Sequence, residues 1–576
     1  MTQIPREWKM SPRDSSACRQ LSGALGIRSQ TAQILVNRGL RDVEEARSFL
    51  WPALSNLADP SGFRDMDAAV DRIKHALRRK EKILIHGDYD VDGVTATALL
   101  IRFFQEHHAE VDYYIPDRIG EGYGMHLESL KEFHSHGVNL ILSVDNGITA
   151  YEEVEAAREL GMDVIITDHH EPGDRLPDAL AVINPKRRDA TYPFRELAGV
   201  GVAFKLAWAI AQSLTPGPKV SAEMREFLKD ALGLVALGTV ADVVPLLNEN
   251  RVFVRYGLRA MSTSRNPGLR ALMAVCNLIG KKLDAYDLAF KLGPRVNAAG
   301  RLGDSNSGVR LLTSASYSEA LELARTLERE NRKRRAIEQE ILGEALGTIE
   351  AESSDDESII VLASEGWHVG VLGIVASKIS DRYYRPCVLI SIGDGKCKGS
   401  ARSIPEFHIQ KAFARCADRL VSFGGHAQAA GLVIQRDELD AFRRELGRIA
   451  DEEMPDGKAV PSLSIDLETE LADLDEGLVS EILGLSPFGS GNREPVLASR
   501  DLSVAGRPRR IGQEGKHLSF FARDESVSRR AVAFGRGDLC DPLTGKVVDL
   551  AFVPQINSWR GRESIELVVK DVKIHP

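Results

Sequence analysis

Three carboxylates separated by single residues, in His86-Gly87-Asp88-Tyr89-Asp90-Val91-Asp92-Gly93, form the densest chemistry in this 576-residue chain. Packed into one short turn they repel each other unless something positive sits between them. Taken alone, the stretch reads as an exposed acidic turn. Three later signals alter that reading. The apolar run 140–144 leads into Asp145-Asn146-Gly147, and the run 164–167 leads into Asp168-His169-His170. Gly238-Thr239-Val240-Ala241-Asp242 sets another carboxylate in an apolar context. Carboxylate oxygen with imidazole nitrogen is a donor set for a divalent transition ion, Mn2+ lying between the hard-oxygen and softer-nitrogen preferences. Several carboxylates in one pocket point to two ions. Two ions about 3.5–4 Å apart can serve both the attacking water and the leaving oxygen of a phosphoryl transfer.

Such residues meet only if strand ends are brought together. Runs 82–85, 110–115, 140–144, 164–167 and 181–184 are apolar and β-prone. They alternate with helical patterns at 93–105, 126–135 and 151–160, and helical segments follow at 198–214 and 222–240. This alternation implies βαβ units and a mainly parallel sheet. The C-terminal ends of parallel strands share one edge, so Asp90, Asp92, Asp145 and His169 converge without sharing a motif. A lone Asp after a strand more often caps a helix. Four such signals in strand order on one edge are hard to obtain by chance.

The rest of the chain divides around this core. Residues 1–70 read as a helical extension packed on a catalytic domain at 71–315, with Trp8 and Trp51 as packing anchors. A charged helical pattern at 316–352, striped by Leu323, Leu327, Ile337, Ile341 and Leu346, suits a connector. Its block Arg332-Lys333-Arg334-Arg335 reads as a solvated face, or as lining for the path of a strand. After an acidic breaker, a second α/β domain spans 358–452. Residues 462–576 carry about five short β runs, the pattern of a small OB-like barrel. There Arg507-Pro508-Arg509-Arg510, Phe520, Phe521 and Trp559 offer the charge and stacking chemistry used on single strands. Phe520 and Phe521 are adjacent on a strand, so one of them faces the core.

A chain this long exceeds one core. Its net charge of −9 argues against a generally adhesive nucleic-acid binder but leaves room for a local basic groove. Six cysteines without CxxC spacing suggest neither a zinc site nor a disulfide framework, so a reducing cytoplasm is expected. Residues 1–19 lack the apolar segment of a signal sequence. The most apolar run, 232–247, is too short to span a bilayer and carries Asp242, so no membrane association is expected.

HGDYDVDG (86–93), VDNG (144–147), TDHH (167–170) and GTVADVVPL (238–246) resemble, in that order, the motifs of the DHH phosphoesterase superfamily. The resemblance runs from about residue 50 to the C-terminus through GPRVNAAGRLGD (293–304), SEGWHVGVLGIVASKI (364–379) and GGHAQAAG (424–431). DxD and DHH are weak singly; the ordered set is specific. It implies an α/β fold with a DHH-type parallel-sheet catalytic domain, a long helical connector, a second α/β (DHHA1-type) domain and a C-terminal OB-like β-barrel. It also implies that Asp90, Asp92, Asp145, His169 and Asp242 bind two divalent ions, Mn2+ or Mg2+, with Asp145 bridging. Asp88 or His86 completes the first ion's shell, and His170 is a ligand or a phosphate contact. Ser400 and Arg402 resemble a phosphate-binding element, and His426 a glycine-histidine motif; the planar fork of Arg402 suits a phosphate. Arg295, Asn297 and Arg301 are candidates for strand contacts, and Arg118 for contact with incoming nucleic acid. The implied activity is hydrolysis of single-stranded DNA from the 5′ end to mononucleotides, in DNA repair and recombination. The implied enzyme is a cytoplasmic monomer acting with a single-strand-binding protein and a helicase. One rival is a DHH phosphodiesterase on short oligoribonucleotides, which a strand-binding barrel disfavours. Another is a non-catalytic single-strand-binding scaffold, which the full ligand set disfavours.

Overall fold

In the catalytic sheet the strands run in the order Val111–Tyr114, Lys82–His86, Val138–Val144, Asp163–Thr167, Ala181–Ile183, all parallel. This computed structural model describes residues 5–117, 121–122, 124–217, 219–302, 304–351, 357–393, 395–454, 459–559 and 561–576. Both faces of the sheet's centre are covered, which is why its inner strands are largely apolar rather than alternating. Ile83, Ile85, Leu140, Leu142, Val144 and Ile165 meet the helices Met66–Arg79, Val91–Glu106 and Gly199–Leu214. Leu84, Ile141, Val164 and Ile166 meet Leu127–Ser135 and Tyr151–Glu159. From Lys82–His86 the chain crosses first to one side and then to the other. The topological switch point therefore lies between Lys82–His86 and Val138–Val144, where open α/β sheets bind their ligands.

The 35-residue helix Tyr317–Ala351 serves two cores. Ala320, Ala324 and Leu327 belong to the catalytic core, while Ile341, Ala345 and Ile349 belong to the core of the second α/β domain. Between them the buried residues are polar. Arg334, 8% exposed, donates from Nη1 to Glu338 Oε2 at 2.7 Å, and Lys378 also pairs with Glu338. The basic block is thus split. Arg332 remains exposed and pairs with Glu328, whereas Arg334 is an interior cation, contrary to a wholly solvated face.

The second sheet has the order Leu420–His426, Ala429–Gln435, Lys396–Arg402, Cys387–Ile392, Ile360–Glu365, parallel only between its last two strands. The C-terminal strands Leu497–Ile511, His517–Arg523, Ser528–Ala533, Arg562–Ile574 and Val547–Trp559 close into a five-stranded barrel, because Val547–Trp559 pairs back onto Leu497–Ile511. The strands are longer than the β runs in the sequence. Pro508 interrupts no strand, since it sits where the pairing register slips between Ala505 and Arg509. Phe520 enters the core at 2% exposure and Phe521 faces outward at 50%.

The N-terminal extension departs from expectation. Its last part packs on the catalytic domain: Phe63 stacks on Tyr192 at 3.7 Å, the buried Lys205 Nζ donates to Ala58 O at 2.6 Å, and the carbonyls of Phe49 and Leu50 accept from Arg251 and Arg255. The helices Ser15–Leu25, Ser29–Asn37 and Val43–Leu50 share a core with the barrel instead, and Glu7–Met10 pairs in parallel with Ser462–Ile465. Apolar helix faces dictate burial but not the partner, because hydrophobic attraction is non-directional. Trp8 anchors through Nε1, which donates to Asp571 Oδ2 at 2.8 Å, whereas Trp51 is 49% exposed. Among the described residues no helix is long and apolar enough to cross a membrane.

Candidate metal centre and substrate cleft

Asp90 and Asp92 are placed by backbone amides at two helix N-termini. Asp90 caps Val91–Glu106, its Oδ1 accepting from the amides of Asp92 (2.8 Å) and Gly93 (3.2 Å). Asp92 reaches across to the helix Gly199–Leu214, where Oδ2 accepts from Gly199 N (2.6 Å) and Oδ1 from Val200 N (2.9 Å). Amides and dipole at a helix start favour a carboxylate. Asp145 follows its strand in the left-handed region (φ 63°) and is 2% exposed. Residue 199 must be glycine, because a Cβ there would stand 2.6 Å from Asp145 Oδ1. Asp242 ends the helix Ala222–Ala241, its amide donating to Gly238 O.

These side chains converge. His169 Nε2 lies 3.1 Å from Asp145 Oδ1, 3.6 Å from Asp242 Oδ2 and 3.9 Å from Asp92 Oδ2. Three overlapping groups have donor atoms within 4.8 Å of one another: Asp88, Asp90 and Asp145; Asp92, His169 and Asp242; and Asp145, His169 and His170. Of the two residues left open for the first ion, Asp88 joins the acidic group. His86 does not; strand alternation puts its ring with Leu84 on the other sheet face, beside Tyr114 (5.6 Å) and Phe133 (6.4 Å). Burial there pushes its pKa down to about 4.

The electrostatics are those of a site awaiting positive charge. Burial, then repulsion from Asp90, pushes Asp92 up to about 7 despite its two amide bonds. Burial, then Asp92 and Asp90, pushes Asp242 up to about 9, and burial with four neighbouring carboxylates holds Asp145 well above the usual range. Burial and His170 push His169 down to about 3, so its ring is neutral and able to act as a ligand. Two observations show that the residues fit divalent cations. Asp242 Oδ2 is buried without a hydrogen-bond partner. Among the described residues, the His169 ring is the only basic group within ion-pair distance of Asp92 or Asp242.

Asp168, fully buried, is a residue the sequence reading passed over. Its Oδ2 accepts from Ile148 N (3.0 Å), and its Oδ1 accepts from the His169 and His170 amides and lies 2.7 Å from His170 Nδ1. Burial opposes ionisation of both Asp168 and His170, but their mutual bond outweighs it, lowering the pKa of the acid and raising that of the imidazole. His170 is half-exposed, and its Nδ1 is engaged by this bond. The supporting amides of Gly199 and Val200 were also unforeseen; the small-residue opening Ala198-Gly199-Val200-Gly201 was their sequence signal.

A second group of candidates lies on the second α/β domain. Arg402 and His426 are both in register with Ala429, which lies on the strand between theirs, so all three share one face about 10 Å across. Arg402 Nη1 donates to Ala401 O (2.8 Å) and Ser400 Oγ (3.4 Å), while His426 is exposed at the end of its strand. The 293–301 candidates separate. Arg295 is half-buried and ion-paired with Glu328 of the connector, a structural clasp rather than a strand contact. Arg301 Nη1 donates to Gly370 O (2.8 Å), tying the catalytic domain to the second domain. Asn297 is half-buried with no side-chain hydrogen bond among the described residues. Arg118 lies outside the described residues, as does the Trp559 side chain.

Three domain families match the chain: the DHH family N-terminal domain over residues 82–239, the DHHA1 domain over 356–452 and the RecJ OB domain over 465–571. The chain is 38% identical over 570 residues to the single-stranded-DNA-specific exonuclease RecJ of Bacillus subtilis (strain 168), covering 98% of this chain and 71% of that one. Its fold is similar to that of RecJ from Thermus thermophilus in complex with Mn2+, with a TM-score of 0.83, 31% identity and coverage of 98% of this chain and 79% of that one. The corresponding Mg2+ complex gives a TM-score of 0.78 at 29% identity, covering 99% and 78%.

Proposed function

The chain belongs to the RecJ family of DHH phosphoesterases, and we infer that it is a single-stranded-DNA-specific exonuclease that uses two divalent ions, Mn2+ or Mg2+. The observation that carries this reading is the convergence of Asp88, Asp90, Asp92, Asp145, His169 and Asp242 at one switch point, four of them buried, Asp90 and Asp242 half-buried, and the group short of positive charge. When bound, the ions would supply Lewis acidity and lower the pKa of a water at that point. The chain's own part is positioning. Asp90 and Asp92 are held by helix amides, Asp145 by the left-handed turn, and His169 and His170 by Asp168. His170, grouped with Asp145 and His169, serves as a ligand or as a contact to the scissile phosphate.

Arg402, with Ser400 and His426, grips a terminal 5′-phosphate on the facing wall, which gives removal of mononucleotides from the 5′ end. The second α/β domain forms the wall facing the metal centre, and the narrow cleft between the two excludes duplex. The barrel holds the trailing strand through its outward Phe521 and its exposed Arg507 and Arg509. We read the enzyme as a cytoplasmic monomer in DNA repair and recombination. There a helicase exposes its substrate and a single-strand-binding protein presents it. The test uses end-labelled single strands and matched duplex with Mn2+ or Mg2+. A 5′ label should appear as mononucleotide from single strands alone, and Asp145→Ala should leave them uncut. Long labelled fragments, or unchanged turnover in that variant, would overturn the assignment.

A further inference from the structure

Asp242 has the least support of its own among the converging side chains. After it the chain turns away through Val243 at φ 64°, with the side chain 67% exposed. A β-branched residue in the left-handed region persists only where the surroundings over-determine it. Because the Val243 side chain packs against little, that restraint has to come from further along the chain. It comes from segment 485–492, which precedes the first barrel strand. Leu246 N donates to Ser490 O at 2.8 Å. A Cβ on Gly489 would stand 2.8 Å from Leu246 Cδ1, and one on Gly491 would stand 3.0 Å from Pro245 Cβ, so the two segments pack backbone-close.

Five residues beyond Leu246, Arg251 fastens the same segment. It is 1% exposed and stacks over the Phe49 ring at 3.8 Å. Among the described residues its guanidinium donates only to carbonyls: Phe49 O (2.7 Å), Leu485 O and Ser486 O (2.9 Å each) and Pro487 O (3.4 Å). Its charged neighbours are Arg255 and Arg38, and burial first, then these two, push its pKa down to about 9. A buried cation without a carboxylate is poor value for stability alone, but the bonds fix the relative position of three segments. From the other side the buried Asn492 Nδ2 donates to Leu485 O (2.9 Å) and Pro487 O (2.7 Å).

We propose that Arg251 and segment 485–492 are positioning elements for Asp242, so that the C-terminal domain sets the geometry of the catalytic centre as well as holding the strand. This rests on reading Asp242 as a ligand in the nuclease above. The test uses the full chain with Arg251→Met, which keeps bulk and removes the donors, and Arg251→Lys, which restores a cation. Mn2+ affinity is measured by calorimetry without DNA. Values of kcat and KM are measured on a 5′-phosphorylated trinucleotide and on a long strand. Arg251→Met should lose about 10–100-fold in Mn2+ affinity or kcat, the range for supporting residues around metal ligands. KM should hold, and Lys should recover part of the loss. Unchanged Mn2+ affinity and trinucleotide kcat, with any defect confined to long strands, would overturn the proposal. If Arg251→Met does not fold, Gly489→Ala, which presses on Leu246, should shift the same two quantities in the same direction, and no shift there counts against it. Absence of metal-dependent cleavage by the unaltered protein would sink the nuclease reading instead, and the Mn2+ titration would still judge this one.

Discussion

On the metal wall of the cleft, Asp88, Asp92, Asp145 and His169 are each at most 5% exposed, with Asp92 held by helix amides, Asp145 in its left-handed turn and His169 by Asp168. On the facing wall, His426 stands exposed at a strand end and Arg402 is half-buried beside Ser400. The first wall stores like-charge repulsion that only bound cations relieve. The second stores little and can adjust to a phosphate. Chemistry and stability should therefore respond to changes on the first wall, and affinity to changes on the second.

The sharpest way to break that division is Asp145→Ala. Hydrolysis of single strands should fall by at least about 10²–10³-fold with little change in strand affinity, measured by kcat and by filter binding in parallel. An equal loss in both would erase the contrast between the walls.

Removal of metal is the next largest effect, and its sign follows from the raised carboxylates. Asp92 and Asp242 lie at about 7 and about 9 in the folded chain, above their ordinary value of 3.8. The stability they contribute is complete below pH 3.8 and is lost as pH rises through about 7 and then about 9. With chelator, the thermal midpoint should fall across that window. Mn2+ at about a hundred times its Kd should add about 2.7 kcal/mol and flatten the slope. A slope that Mn2+ leaves untouched would separate it from these carboxylates.

Arg402→Ala should raise KM on 5′-phosphorylated strands by about 10–100-fold, as expected for lost hydrogen bonds to a charged group, with kcat changed less. The difference should shrink on 5′-hydroxyl strands; persistence there would place Arg402 elsewhere on the path. Smallest is Phe521→Ala, worth about 1 kcal/mol of long-strand affinity through one lost base stack, with a trinucleotide unaffected. Reduced trinucleotide turnover would move Phe521 from strand holding to catalysis.

Much of the centre was legible in the sequence because the carboxylates follow apolar strands, and parallel strand ends must share an edge. The choice between Asp88 and His86 was also within reach. With Ile83 and Ile85 on one face, alternation sends His86 to the other. Arg295 and Arg334 were less accessible. Each looks like a surface cation in one dimension and is claimed in three by Glu328 and Glu338, whose helix has to serve two cores.

The sequence by itself determined the element types, the ordered ligand set and the chemistry it can perform, since periodicity and donor type are local properties. Only the tertiary structure decided that Asp92 is anchored on Gly199 and Val200, that the helices within 15–50 belong to the barrel, and that the barrel's leading segment braces the Asp242 loop. Each of these joins residues more than a hundred positions apart through backbone amides, carbonyls or apolar faces. Every chain carries such groups, so their partners are specified by packing and not by residue type.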